Sequence, residues 1–182
     1  RFVQNPEDQD HVDIVKRKLD LLPRDILVGT DVLAYAYIQA CSYAGSLRVA
    51  TSVADVMLPR WVASEDPELR GYGASTIGHR HVLDGDDQIA LDHLYEALRL
   101  TPDDRVLDRL HSWTAVSHLE FLRNNTEHAE RAYREAARCR ARLGRSPYMW
   151  EMYTRPDRAN QLAMQGDLDA AEEMYRDLYQ RS

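Results

Sequence analysis

Four times along this chain a turn signal is followed by small or apolar residues at i, i+4 and i+7, the one-sided stripe of an amphipathic helix. Ala44-Gly45-Ser46 precedes Ala50, Ala54 and Met57, and Gly85-Asp86 precedes Ala90, Leu94 and Ala97. Asn124-Asn125 precedes Ala129, Tyr133 and Ala136, and Gly166-Asp167 precedes Ala171, Tyr175 and Leu178. Each turn also closes an earlier helical stretch: Ala34, Tyr37, Ile38 and Cys41; Ala74, Ile77 and Gly78; Trp113, Val116 and Ser117; Ala159 and Leu162. The pattern predicts an all-α fold of four helix–turn–helix units beginning near residues 31, 71, 110 and 152, about nine helices in all and no sheet. Pro102 stops a helix, and Pro156 predicts a helix running from there to Gln165, after a short helical turn opened by Ser146-Pro147. Residues 1–30 hold a further amphipathic stretch from Asp8 to Leu22, with Val12, Val15, Leu19 and Leu22 on one face, as in a partial N-terminal unit.

The repeated unit resembles the tetratricopeptide repeat, a helix–turn–helix of about 34 residues. The resemblance rests on Ile77-Gly78, Gly85-Asp86, Ala90, Ala97 and Pro102 and covers roughly residues 31–181. It implies a right-handed superhelical array of antiparallel helix pairs. Ala74 stands where the family has Trp, His81 where it has Tyr, and Leu94 where it has an aromatic residue. In the last unit Arg155 and Arg158 replace Trp and Leu. The period here is roughly 40 residues, longer than the strict repeat. Such stretched units look like the helical sensor and adaptor arrays of large bacterial regulators, including maltose-activator-type transcription factors and actinobacterial regulators or cyclases. The segment Ser64–Arg70 is the kind of link those arrays use.

Composition agrees with helices packed through small contacts. Hydrophobic residues make up 44% of the chain, with 10 Tyr against 2 Phe and only 8 Gly. No stretch approaches the roughly 20 apolar residues of a membrane span, and the polar opening RFVQNPEDQD lacks the apolar core of a signal peptide. Cys41 and Cys139 form no CxxC pattern and read as buried thiols in the cytoplasm. The net charge of −7 argues against nucleic acid as the direct partner. The basic side chains are Arg except for Lys16 and Lys18, and the Ala-, Asp- and Arg-rich composition suggests a GC-rich bacterial genome.

Chemistry-bearing motifs dissolve on inspection. Gly73 and Gly78 have phosphate-loop spacing, but His79 and Arg80 replace the Lys and Ser/Thr that such a loop needs. Asp84, Asp86 and Asp87 lack the alternating ligands of a calcium loop, and Tyr95 falls where its closing Glu belongs. N-capping of a helix is the expected role of these carboxylates. His79 and His81 are two residues apart and face apart on a helix, whereas His111 and His118 share a face. No zinc-protease pattern and no nucleophile elbow occurs, so neither metal nor cofactor nor catalysis is expected. The Arg-rich segment between Arg123 and Arg145 reads as a solvated helix face.

What remains is a binding surface. In the family the first helix of each unit lines the concave face, and the position after the close-packing small residue points inward. That position holds Gln39, His79, His118 and Asn160, a row of hydrogen-bonding side chains. The resemblance places Tyr35, Tyr72, His111 and Tyr153, with Thr114 and Phe121, at neighbouring groove positions. Amide, imidazole and phenol groups beside aromatic faces suit an extended peptide, a protein partner or a small-molecule effector. Two functional classes fit. One is a non-catalytic sensor or regulatory module of a larger bacterial signalling or transcription-regulatory protein, with the chain ends as cut edges. The other is a free-standing interaction scaffold whose exposed last helix is covered by a second copy.

Overall fold

A computed structural model describes residues 14–143 and 155–180. All of the regular structure among them is helical: α1 (14–20), α2 (Arg24–Gly29), α3 (Asp31–Tyr43), α4 (Leu47–Val62), α5 (Pro67–Asp84), α6 (Asp87–Leu100), α7 (Val106–Leu122), α8 (Thr126–Leu143), α9 (Arg155–Met164) and α10 (Leu168–Gln180). Helices pack in adjacent pairs, α3 on α4, α5 on α6, α7 on α8 and α9 on α10. The pairs join through α4 against α5 and α6 against α7, and the first helices touch in series, α3 to α5, α5 to α7 and α7 to α9.

One corner recurs in all four pairs. Gly45, Gly85, Asn124 and Gly166 take left-handed backbone angles of φ 70°, 80°, 59° and 84°. The next N–H then reaches back to a carbonyl of the preceding helix: Ser46 to Cys41 at 2.7 Å, Asp86 to His81 at 3.0 Å, Asn125 to Glu120 at 2.8 Å and Asp167 to Leu162 at 2.9 Å. This is the Schellman closure, which satisfies carbonyls that the helix leaves without partners. Four residues further on, Ala50, Ala90, Ala129 and Ala171 are all buried, so a small side chain lets the second helix fold tightly onto the first. At Gly78 the approach is closest, since an added Cβ would lie 2.8 Å from Leu94 Cγ.

Several expectations shift. The first helices of the second and third pairs begin about one turn early, at Pro67 and Val106. Asp66 caps α5 by accepting from Glu68 N–H at 2.9 Å, with Pro67 at the first helical position. Asp86 stands at the N-cap of α6 without a side-chain capping bond, and its carboxylate meets His81 Nδ1 at 3.2 Å instead. Leu19 and Leu22 pack on the core, whereas Val15 is exposed; Val12 lies outside the described residues, as do Ser146 and Pro147.

The first core cluster runs from α2 to α5 and includes Ile38, Val53, Met57 and Trp61; the others lie among α6, α7 and α8. Trp113, in the first helix of the third unit, is half-buried and packs against both of the later clusters. In the fourth pair Arg158 offsets the loss of an apolar residue. It pairs with Glu130 and lies over the Tyr133 ring, 5.4 Å from its centroid, which holds α9 against α8.

Candidate functional site

The helix series α3, α5 and α7 determines where the expected binding residues go. A cavity of about 350 Å³ opens between these three helices and α4. Gln39 enters from α3, His79 from α5 and His118 from α7, so three rungs of the polar row line one cavity. The fourth, Asn160, lies elsewhere on an exposed face and accepts a hydrogen bond from Tyr175 Oη. Tyr153 lies outside the described residues.

The aromatic positions separate from the cavity. Tyr35 and Tyr72 are buried in the first core cluster and stack on each other, and neither lines an open groove. Their hydroxyls are satisfied internally, Tyr35 donating to Ser75 Oγ at 3.0 Å and Tyr72 to Glu68 Oε1 at 2.6 Å. Large rings between closely packed helices gain more from burial than from lining a wet face. His111 is also buried, with its ring 4.9 Å from Tyr43 in an edge-on arrangement. Thr114 is buried and lines the cavity, while Phe121 is half-buried and stands outside it.

Apolar side chains make up much of the cavity lining. Ile38, Ala50, Ala54 and Val82 supply much of the wall. Thr76, also in the lining, is buried, and neither its Oγ1 nor Nε2 of the half-buried His79, both inaccessible atoms, has a hydrogen-bond partner. Sequence reasoning missed Thr76. It stands three residues before His79 on a helix and so shares its face, which was the available signal. The other nitrogen of His79 lies 2.8 Å from the Ser75 carbonyl oxygen.

Burial lowers the pKa of His79, partly opposed by that bond to Ser75. Burial also drives His111 down to about 3, with His79 adding a smaller push in the same direction. Both imidazoles are therefore neutral at physiological pH. Cys41 and Cys139 are buried thiols whose pKa is raised chiefly by burial, which disfavours the reactive thiolate.

A second cavity, of about 560 Å³, lies among α6, α7 and α8 beside Tyr95, Trp113 and Glu120. Glu120 is buried there, but Tyr95 Oη and Asn125 Nδ2 both donate to its carboxylate at 3.1 and 2.9 Å. Its acceptors are already engaged in holding the turn between α7 and α8.

Among the described residues no group of three or more His, Cys, Asp or Glu is placed to hold a metal ion, and no helix is long and apolar enough to cross a membrane. Compared with protein-family models, curated proteins and solved structures, the chain matches none.

Proposed function

We propose that this chain is a non-catalytic, tetratricopeptide-like sensor module that binds a small effector between its first helices and passes the result to a larger bacterial signalling or transcription regulator. The observation that carries the reading is the convergence of Gln39, His79 and His118 on one cavity. The volume falls in the usual range of small-molecule sites, roughly 300–1,000 Å³. Because α3, α5 and α7 come from three successive pairs, a ligand that bridges them biases how those pairs sit together. The test is an NMR-detected fragment screen with wild type, with His118→Ala, and with His79→Ala combined with His118→Ala. Hits should perturb amides of α3, α5 and α7, and the double replacement should abolish them. Hits that persist unchanged in the double variant would place ligand binding elsewhere.

A free-standing scaffold is the second reading, and one observation favours it. Leu83, Leu122 and Met164 stand two residues before the left-handed residue in three successive corners and are 63%, 58% and 68% exposed. A repeated apolar position of this kind suits a protein partner. Replacing Leu122 and Met164 by Glu should weaken capture of such a partner and leave fragment binding intact, since neither lines the cavity, whereas Leu83 does. The reading frame around this segment discriminates further, since an adjoining helix-turn-helix, cyclase or ATPase domain favours the sensor.

A further inference from the structure

The cavity beside Tyr95, Trp113 and Glu120 shares no lining residue with the one between α3, α4, α5 and α7. It draws its lining from α6, α7 and α8, and both outer helices pack on α7. Tyr95 stands edge-on to Trp113 with 6.4 Å between centroids. Tyr95 is 38% exposed and Trp113 half-buried, so neither ring is fully covered. The carboxylates of the lining already hold donors of the same lining. Buried Glu120 accepts from Tyr95 Oη and from Asn125 Nδ2, and Asn125 Oδ1 in turn lies 2.9 Å from His128 Nδ1. Asp92 accepts from Gln88 Nε2 at 2.9 Å and is exposed, where solvent screens its charge.

Arg123 and Arg131 differ from these groups. Both line the cavity, and among the described residues neither makes an ion pair or a side-chain hydrogen bond. Their charges reach the same place. Burial first and Glu120 second raise the pKa of Tyr95 to about 12, and the positive charges of Arg131 and Arg123 both oppose them. A charge felt at that hydroxyl lies within about 10 Å of it, one screening length at moderate salt. The two guanidiniums therefore converge on the Tyr95 hydroxyl, and each offers a planar fork of N–H donors that matches a carboxylate. An ammonium ligand would meet two cations and find both lining carboxylates engaged. We infer that this cavity is a second binding site, for a small aromatic carboxylate whose charged head lies between Arg123 and Arg131 and whose ring packs against Tyr95 and Trp113. The ligand spans α6 of the second pair and α7 and α8 of the third, so it clamps the joint between them.

The experiment is an NMR titration of the whole chain near neutral pH with four probes of similar size: 2-naphthoate, 2-naphthalenemethanol, 2-naphthylmethylammonium and decalin-2-carboxylate. Naphthoate should bind saturably, with a Kd of about 1 mM or tighter, and shift the Trp113 indole N–H with amides of α6, α7 and α8. The alcohol and the ammonium should bind about tenfold or more weakly, for want of charge-assisted bonds. Decalin carboxylate should bind about threefold more weakly, for want of aromatic contact. Arg123→Gln and Arg131→Gln remove exposed side chains and should leave the melting temperature unchanged. Each should weaken naphthoate about threefold or more and leave the alcohol unaffected. Arg138→Gln removes the same charge from α8 outside the cavity, where Arg138 pairs with Glu135, and should leave naphthoate binding unchanged. Equal binding of the ammonium probe would overturn the charge class, and equal binding of decalin carboxylate the aromatic contact. Equal losses in all three arginine variants would show attraction to surface charge in place of a site. Absence of naphthoate binding, or shifts confined to α3 and α5, would overturn the site and leave the reading of the other cavity standing.

Discussion

The rings of Tyr35 and Tyr72 stack across α3 and α5 with 4.3 Å between centroids and 10° between planes. Trp61 meets both edge-on, at 6.1 and 5.8 Å, and its Nε1 donates to Asp31 Oδ1 at 2.6 Å. Three aromatic rings from three helices thus tie the first pair to the second. Tyr72→Ala should destabilise the fold by about 3–5 kcal/mol, as for other large aromatic truncations in cores. Tyr72→Phe keeps the stack and loses only the bond to Glu68, so it should cost about 1 kcal/mol. Urea denaturation of both variants checks this, and a loss below about 1 kcal/mol for the alanine variant would show that the stack is not a core contact.

Gly78 lets α5 and α6 close to the distance that defines the second pair. A methyl group there would meet Leu94 Cγ at 2.8 Å and Leu94 N at 3.2 Å, one of them backbone. Gly78→Ala should gain about 1 kcal/mol of helix propensity and lose about 1–3 kcal/mol to overpacking, a net destabilisation. Gly71 is the control. A methyl group there finds its nearest neighbours at 3.4 Å, so Gly71→Ala should be neutral or stabilising. Thermal melts that rank the two variants the other way would contradict the packing.

The pairs and their corners were legible because both depend on few residue types. Left-handed positions call for Gly or Asn, and close backbones call for Ala or Gly, so Gly45, Gly85, Asn124 and Gly166 with their following alanines mark the folds of the chain. The cavity was legible in part. A frame that places Gln39, His79 and His118 at equivalent positions also brings them together, because the first helices pack in series. Which aromatic residues face inward was not legible, since Tyr35 and Tyr72 choose the core through Trp61, a long-range partner. Trp61 itself continues the stripe of Ala50, Ala54 and Met57 by one more turn, a signal that Pro59 obscures; the proline sits on the exposed side of α4. Asn160 stands on α9, which does not line the cavity, and there accepts a hydrogen bond from Tyr175 of its own pair.

Acid should weaken the fold through His111. The side chain is 5% exposed, and its Nδ1 is buried without a hydrogen-bond partner. Its pKa is driven down to about 3, by burial first and by His79 second. In the unfolded chain an imidazole titrates near about 6.5. Below that pH the unfolded state takes up a proton that the folded state refuses, so stability is full above about 6.5 and falls as the pH drops towards about 3. His79, also lowered, acts in the same direction. Asp108 opposes them: burial raises its carboxyl to about 6, so the folded state binds that proton first and gains stability as the pH falls from there. His111→Phe separates the terms, because Asp108 and His79 are common to both proteins. The stability difference, variant minus wild type, should grow in favour of the variant by up to about 1.4 kcal/mol for each pH unit below about 6.5. Urea denaturation of both proteins across that range measures it. A difference independent of pH would show that His111 is solvated in the folded state or protonated there as readily as in the unfolded chain.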